Sequence, residues 1–153
     1  MRLTKQTNYA VRMLMYCAAN DGQLSRIPEI AKAYGVSELF LFKILQPLNK
    51  AGLVETVRGR NGGVKLGRPA DKITLFDVVR VTEDSFAMAE CFDEDGDVDC
   101  PLIDSCGLNS ALRKALGAFF DVLASYTIDD LVKARPHMGL LLGLPEQVVQ
   151  PAA

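Results

Sequence analysis

Apolar positions follow helical spacing at the start of the chain. Ala10, Met13, Leu14 and Cys17 fall on one face of a segment from Lys5 to about Asn20, with Thr4 where an N-cap belongs. "SRIPEIAKAYG" then offers Ser25 as a cap, Glu29 near the capping-box position and Gly35 as a stop, which predicts a short second helix. "VSELFLFKILQPLNKAG" predicts a third helix from Ser37 to Gly52. A short helix, a tight turn and another helix make a helix-turn-helix. In "LVETVRGRNGGVKLG", β-branched residues flank Asn61-Gly62, a pair suited to a two-residue hairpin turn, so a wing should follow.

Helical periodicity returns in "KITLFDVVRVTED", capped near Thr74, and is lost over residues 84 to 105, an irregular acidic stretch. It resumes in "LNSALRKALGAFFDVLASYT", where Leu108, Leu112, Leu116, Phe119 or Phe120 and Leu123 form one long apolar stripe. A small domain gives such a helix little to pack against, so a second copy of the chain is the economical partner. "TIDDLVKAR" predicts a last short helix capped at Thr127. The expected fold is mainly α with a small β-hairpin: a winged helix-turn-helix domain over 1–83, a cysteine-bearing loop over 84–106, a dimerisation helix with a short helix over 107–135, and a loosely held tail over 136–153. The length of 153 residues suits one compact domain, or a small domain with a helical extension.

Charge divides the chain in the same place. Residues 1–70 hold 11 Lys or Arg against 4 acids, whereas residues 71–153 hold 6 against 15. A basic half on a protein of net charge −2 suggests a polyanion-binding face. The third helix locates it. Each residue advances about 100° around a helix axis, so Leu41, Ile44, Leu45 and Leu48 claim the core and leave Leu39, Lys43, Gln46 and Lys50 outward, with Phe42 at their margin. On a recognition helix, Ser37 and Lys43 can bond phosphates or base edges and Leu39 and Phe42 can meet thymine methyls. Arg58, Arg60 and Asn61 at the hairpin tip suit the minor groove, and Arg2 and Lys5 extend the basic surface at the chain's start. Double-stranded DNA is the expected partner. Gly59 and Gly62-Gly63 lack the Lys-Ser/Thr pair of a phosphate loop. No apolar stretch approaches the roughly 20 residues of a bilayer span and no export signal is evident, so the cytoplasm is the expected compartment.

In the cytoplasm, clustered cysteines act as metal ligands or redox thiols rather than disulfides. "CFDEDGDVDCPLIDSC" places Cys91, Cys100 and Cys106 among six acidic residues. Asp93, Asp95, Asp97 and Asp104 fall at calcium-loop positions, but glycine is missing from the sixth. Cys17, on the apolar stripe of the first helix, is expected to be a buried thiol, and His137 a surface residue.

"MRLTKQTNYAVRML", "GVSELFLFKILQPLNKAGLVETVRGRNGGVKL", "ITLFDVV" and the cysteine trio, in this order, resemble the Rrf family of winged-helix bacterial regulators over residues 1 to about 135, and within it the rhizobial iron regulators most of all. The resemblance implies a homodimeric repressor of iron-uptake genes that carries an iron–sulfur cluster and is not an enzyme. The Cys-x8-Cys-x5-Cys spacing lacks the CxxC pair of a zinc ribbon, and a loop can wrap a cubane, so a [4Fe-4S] cluster is the expected cofactor. Three thiolates leave one iron without a cysteine. Family members fill that place with a histidine after the last cysteine or an aspartate from the partner's first helix, whereas this chain has Asn109 and Asn8 there. The candidates are therefore Asn8 of the partner subunit, Glu90, Asp104, Asn109 or a non-protein ligand. The alternatives are a nitric-oxide- or redox-sensing regulator of the same fold, or a DNA-binding protein switched by thiols or zinc. An iron–sulfur enzyme lacks support, since no convergent His, Lys or Ser accompanies the cysteines.

Overall fold

A computed structural model describes residues 2–20, 23–92, 100–102, 105–135 and 137–144. The first helix, α1 (Lys5–Ala19), is capped by Thr4, whose hydroxyl accepts from the Thr7 N–H, and it buries Ala10, Met13, Leu14, Tyr16 and Cys17. α2 (Ile27–Tyr34) carries proline in its first turn and stops at Gly35 in the left-handed region, φ 64°. α3 (Glu38–Lys50) is capped by Ser37, whose oxygen accepts from the Phe40 N–H at 3.2 Å. Its buried residues are Leu41, Ile44, Leu45 and Leu48, the four that helical spacing assigns to the core.

The wing consists of β1 (Val54–Val57) and β2 (Gly63–Leu66), antiparallel with Val54 opposite Leu66 and Val57 opposite Gly63. Two expectations need correction. Residues 58–62 separate the strands, so the turn is longer than Asn61-Gly62, and the positive φ belongs to Gly59 at 112°. The Gly62 N–H closes this loop on the Gly59 carbonyl at 2.9 Å. Ser25 is not the cap of α2. Arg26 stands at that position without a side-chain bond, while Ser25 exchanges both backbone hydrogen bonds with Val64 at 2.8 Å and is fully buried. Adding this bridge to the wing satisfies four buried backbone groups, two on each residue, which outweighs one cap. It also explains Gly63, since a Cβ there would stand 2.7 Å from the Ser25 carbonyl oxygen.

α4 (Leu75–Thr82) opens with a Thr74–Asp77 capping box. Its C-terminal end is tied to the head of α1. The Glu83 carboxylate accepts from the Thr4 N–H at 2.7 Å, the Thr4 hydroxyl at 3.0 Å and the Thr7 hydroxyl, and Thr7 also bonds Thr82 at 2.7 Å. A negative charge on the free N–H groups of a helix start is favourable.

α5 (Gly107–Ser125) follows, then α6 (Ile128–Lys133), opened by a Thr127–Asp130 capping box. The chain here re-enters the first core. Thr127 bridges Thr74, Leu75 N–H bonds the Tyr126 carbonyl and Ile128 N–H bonds the Ile73 carbonyl, both at 2.9 Å, and Ile128 is fully buried. In the expected tail, α7 (Met138–Leu141) packs on α1 and buries Met138. Among the described residues no helix is long and apolar enough to cross a membrane.

Candidate nucleic-acid interface and thiol site

The core stripe of α3 fixes what its opposite face presents. Leu39 is 69% exposed and Phe42 50%, with Lys43, Gln46 and Lys50 exposed beside them. Phe40 instead turns back to meet Tyr9 of α1 edge-on, with ring centroids 5.6 Å apart. Ser37 lies at the exposed head of the same helix, its oxygen engaged as the cap. At the wing tip Arg58, Arg60 and Asn61 are exposed, as are Arg2 and Lys5 at the start of α1. Among the described residues none of Arg2, Lys5, Lys43, Arg58 and Arg60 takes part in an ion pair. Lys65 and Arg68 do, with Glu55 at 3.2 Å and Asp77 at 3.6 Å. These five cations are thus left, among the described residues, without an acidic partner on exposed positions that a polyanion can reach.

Cys91, Cys100 and Cys106 are free thiols and half-buried, while Cys17 is 2% exposed. Burial pushes the Cys17 thiol up to about 12, and its Sγ points to the Val64 carbonyl at 3.9 Å. Cys17 is a core residue, inert as a nucleophile. Cys91 sits in a helical turn over Glu90–Phe92, and Cys106 caps α5, its Sγ accepting from the Asn109 N–H at 3.4 Å. The Asn109 side chain reaches across so that its Nδ2 lies 2.9 Å from the Cys91 Sγ. Arg113, one turn on, donates through Nε to the Asn109 Oδ1 at 2.8 Å and lays its guanidinium over the Phe92 ring at 4.8 Å. Two of the three cysteines are therefore drawn to the head of α5. Among the described residues no three His, Cys, Asp or Glu side chains are grouped to hold a single metal ion. Free, half-exposed thiols with an amide N–H directed at one sulfur fit an iron–sulfur cluster, in which each thiolate binds a different iron and the sulfurs accept hydrogen bonds.

Of the other candidate ligands, Glu90 is exposed beside Cys91 and Asn8 is exposed on α1. Asp104, like the calcium-loop positions Asp93, Asp95 and Asp97, lies outside the described residues. His137 is exposed ahead of α7. Sequence reasoning missed Arg113 and Phe92. The i, i+4 spacing of Asn109 and Arg113 was the available signal.

No residue of α5 is buried along its 19 positions. Leu108 is 65% exposed, and Leu112, Leu116, Phe119 and Leu123 are partly covered. Phe120 packs edge-on against Phe76 and Phe86, with centroids 5.1 and 4.9 Å away. A groove of about 470 Å³ runs beside α5, lined by Leu3, Val11, Leu75, Val79, Leu123 and Met138 with Asn8 among them.

Comparison with known proteins agrees with this fold. "Protein aau3" of Rhizobium meliloti (strain 1021) is 82% identical over 148 residues, 97% of this chain and 96% of that protein. The HTH-type transcriptional regulator NsrR of Bacillus subtilis (strain 168) is 42% identical over 147 residues, 95% of this chain and 100% of its own length. The solved structure of T. potens IscR superposes with a TM-score of 0.70 at 27% identity, covering 88% of each chain. The Rrf2 profile, described as an iron-dependent transcriptional regulator, matches residues 3–134, and the chain belongs to this family of DNA-binding transcriptional regulators.

Proposed function

We propose that the chain is a homodimeric transcription repressor whose DNA binding depends on an iron–sulfur cluster held by Cys91, Cys100 and Cys106, and that it controls iron-uptake genes. The observation that carries this reading is the side-chain link from Cys91 through Asn109 to α5, a helix with an apolar stripe and no buried residue of its own. It supports the reading because it ties the Cys91 thiol to the first turn of the helix that carries the proposed dimer seam. When bound, the cluster supplies a labile inorganic core whose presence reports iron status. The rest belongs to the protein. Leu112 and Leu116 meet their copies in the partner, and Leu39, Phe42 and Lys43 enter the major groove while Arg58, Arg60 and Asn61 follow the minor groove. A dimer of winged helices reads two half-sites about one helical turn apart.

Holding the cysteine segment against α5 sets the spacing of the two reading heads. Such coupling is worth roughly 5- to 150-fold in affinity, so chelation should lower operator affinity by a factor in that range rather than unfold the protein. The test is a gel shift on anaerobically purified protein of known iron and sulfide content, before and after chelation. Colourless protein that holds the operator equally well with and without iron would favour the thiol- or zinc-switched alternative.

A further inference from the structure

The amide of Asn109 has two chemically different ends, and its neighbours decide which way it faces. Arg113 Nε carries a hydrogen and no lone pair, so the atom 2.8 Å from it must be the amide oxygen. The amide nitrogen is then the atom 2.9 Å from the Cys91 sulfur. Arg113 is itself held on a second side by the Phe92 ring, whose backbone neighbour is Cys91. The amide is clamped at one end by a cation and offers two N–H donors, without a lone pair, at the other.

On the iron–sulfur reading above, we infer that Asn109 is a hydrogen-bond donor to the Cys91 sulfur, and that Arg113 is the positioning residue that keeps the donor end of the amide turned toward it. Asn109 is therefore not the missing fourth ligand. Ligation would require its oxygen, and Arg113 occupies that oxygen. An N–H directed at a thiolate withdraws electron density from the sulfur and stabilises the charged form that binds iron, which raises the reduction potential of the centre and slows its loss. The arrangement gives the cluster a neutral donor and a nearby cation on the α5 side.

Aspartate at position 109 separates the two roles. It keeps the oxygens a ligand needs, removes both donors and sets a negative charge beside the sulfur. Asn109 is also the third residue of α5, where a carboxylate favours the free N–H groups of the helix start. N109D should therefore leave the cluster-free fold intact or slightly more heat-resistant while weakening the loaded state. A merely structural role for Asn109 would not produce that opposition.

The experiment uses the full chain, loaded anaerobically, in wild-type, N109A, N109D, R113A and R113K forms. It follows decay of the visible absorption under a fixed excess of ferrous chelator, the energy of the sulfur-to-iron charge-transfer bands, and the melting of the cluster-free proteins. Loss of a hydrogen bond to a charged acceptor predicts about tenfold faster decay for N109A and more for N109D. R113A should decay a few-fold faster because its amide is free to turn, with partial rescue in R113K. The charge-transfer bands should shift in N109A and N109D alike. N109D holding its cluster as long as the wild type, or longer, would make Asn109 a ligand and overturn the assignment, and so would decay in N109A and R113A at the wild-type rate. A wild-type chain that takes up neither iron nor sulfide would overturn the iron–sulfur reading and this inference with it.

Discussion

α3 and α5 both carry an apolar stripe, yet they use it in opposite ways. Over 13 residues α3 buries four large aliphatic side chains within its own protomer, and over 19 residues α5 buries none. The polar faces differ as well. α3 turns Lys43 and Lys50 outward beside two exposed apolar side chains, while α5 spends Asn109 and Arg113 on the thiol of Cys91. The contrast assigns much of the protomer's core to the first region and leaves the second as the place where the proposed link between thiols and assembly would act.

The sharpest way to break this contrast is to place a charge in each stripe. Ile44→Asp strands a carboxylate in the core of α3 and should cost about 5 kcal/mol or more, comparable to the whole stability of a domain, so no folded protein should survive denaturant titration. Leu112→Asp or Leu116→Asp should leave the protomer core intact and penalise the proposed seam by several kcal/mol if it stays buried. Those variants should sediment as monomers or fall out of solution. A soluble, fully dimeric double mutant would confine α5 to its own subunit.

Smaller changes sharpen the contrast on the α3 side. Lys43→Ala or Arg60→Ala should weaken operator binding and flatten its salt dependence, lowering the log–log slope by about 1 for each phosphate that is no longer neutralised. Iron content and dimer mass should not change. The smallest effect belongs to Cys17. With its thiol at about 12 it stays protonated at pH 8, so alkylation of the cluster-free protein should label Cys91, Cys100 and Cys106 and spare Cys17, as read by peptide mass spectrometry. Cys17→Ala should retain both iron and operator binding.

Much of the fold was legible because local chemistry and tertiary context agree there. The caps Thr4, Ser37, Thr74 and Thr127 all act as their sequence context suggests, and the 3.6-residue period separates the buried and exposed faces of α3. Ser25 was misread because a contact 39 positions away, with Val64, claims its backbone, and no local pattern encodes that. The wing turn was misread because Asn-Gly is only a preference, and the strand register closes around Gly59 instead. "HMGLLLG" did carry an apolar signal for α7, overshadowed by the prolines on either side of it. In the thiol site the cysteines and Asn109 were visible from composition and position. The orientation of the Asn109 amide depends on Arg113 and Phe92 meeting in space.

The bridge between Thr74 and Thr127 has a consequence for the order of events during synthesis. The chain leaves the core after α4, passes through all three clustered cysteines and α5, and only then returns Ile128 to a fully buried place against the first helices. A fragment ending at Glu83 would lack that side chain and the two backbone bonds beside it. Closing a loop of roughly 50 residues costs chain entropy that grows only with the logarithm of its length, so the excursion is cheap to carry. Because synthesis proceeds from the N-terminus, the reading head cannot be completed until Cys91, Cys100 and Cys106 have already left the ribosome. All three thiols therefore emerge before Ile128 can close the first core.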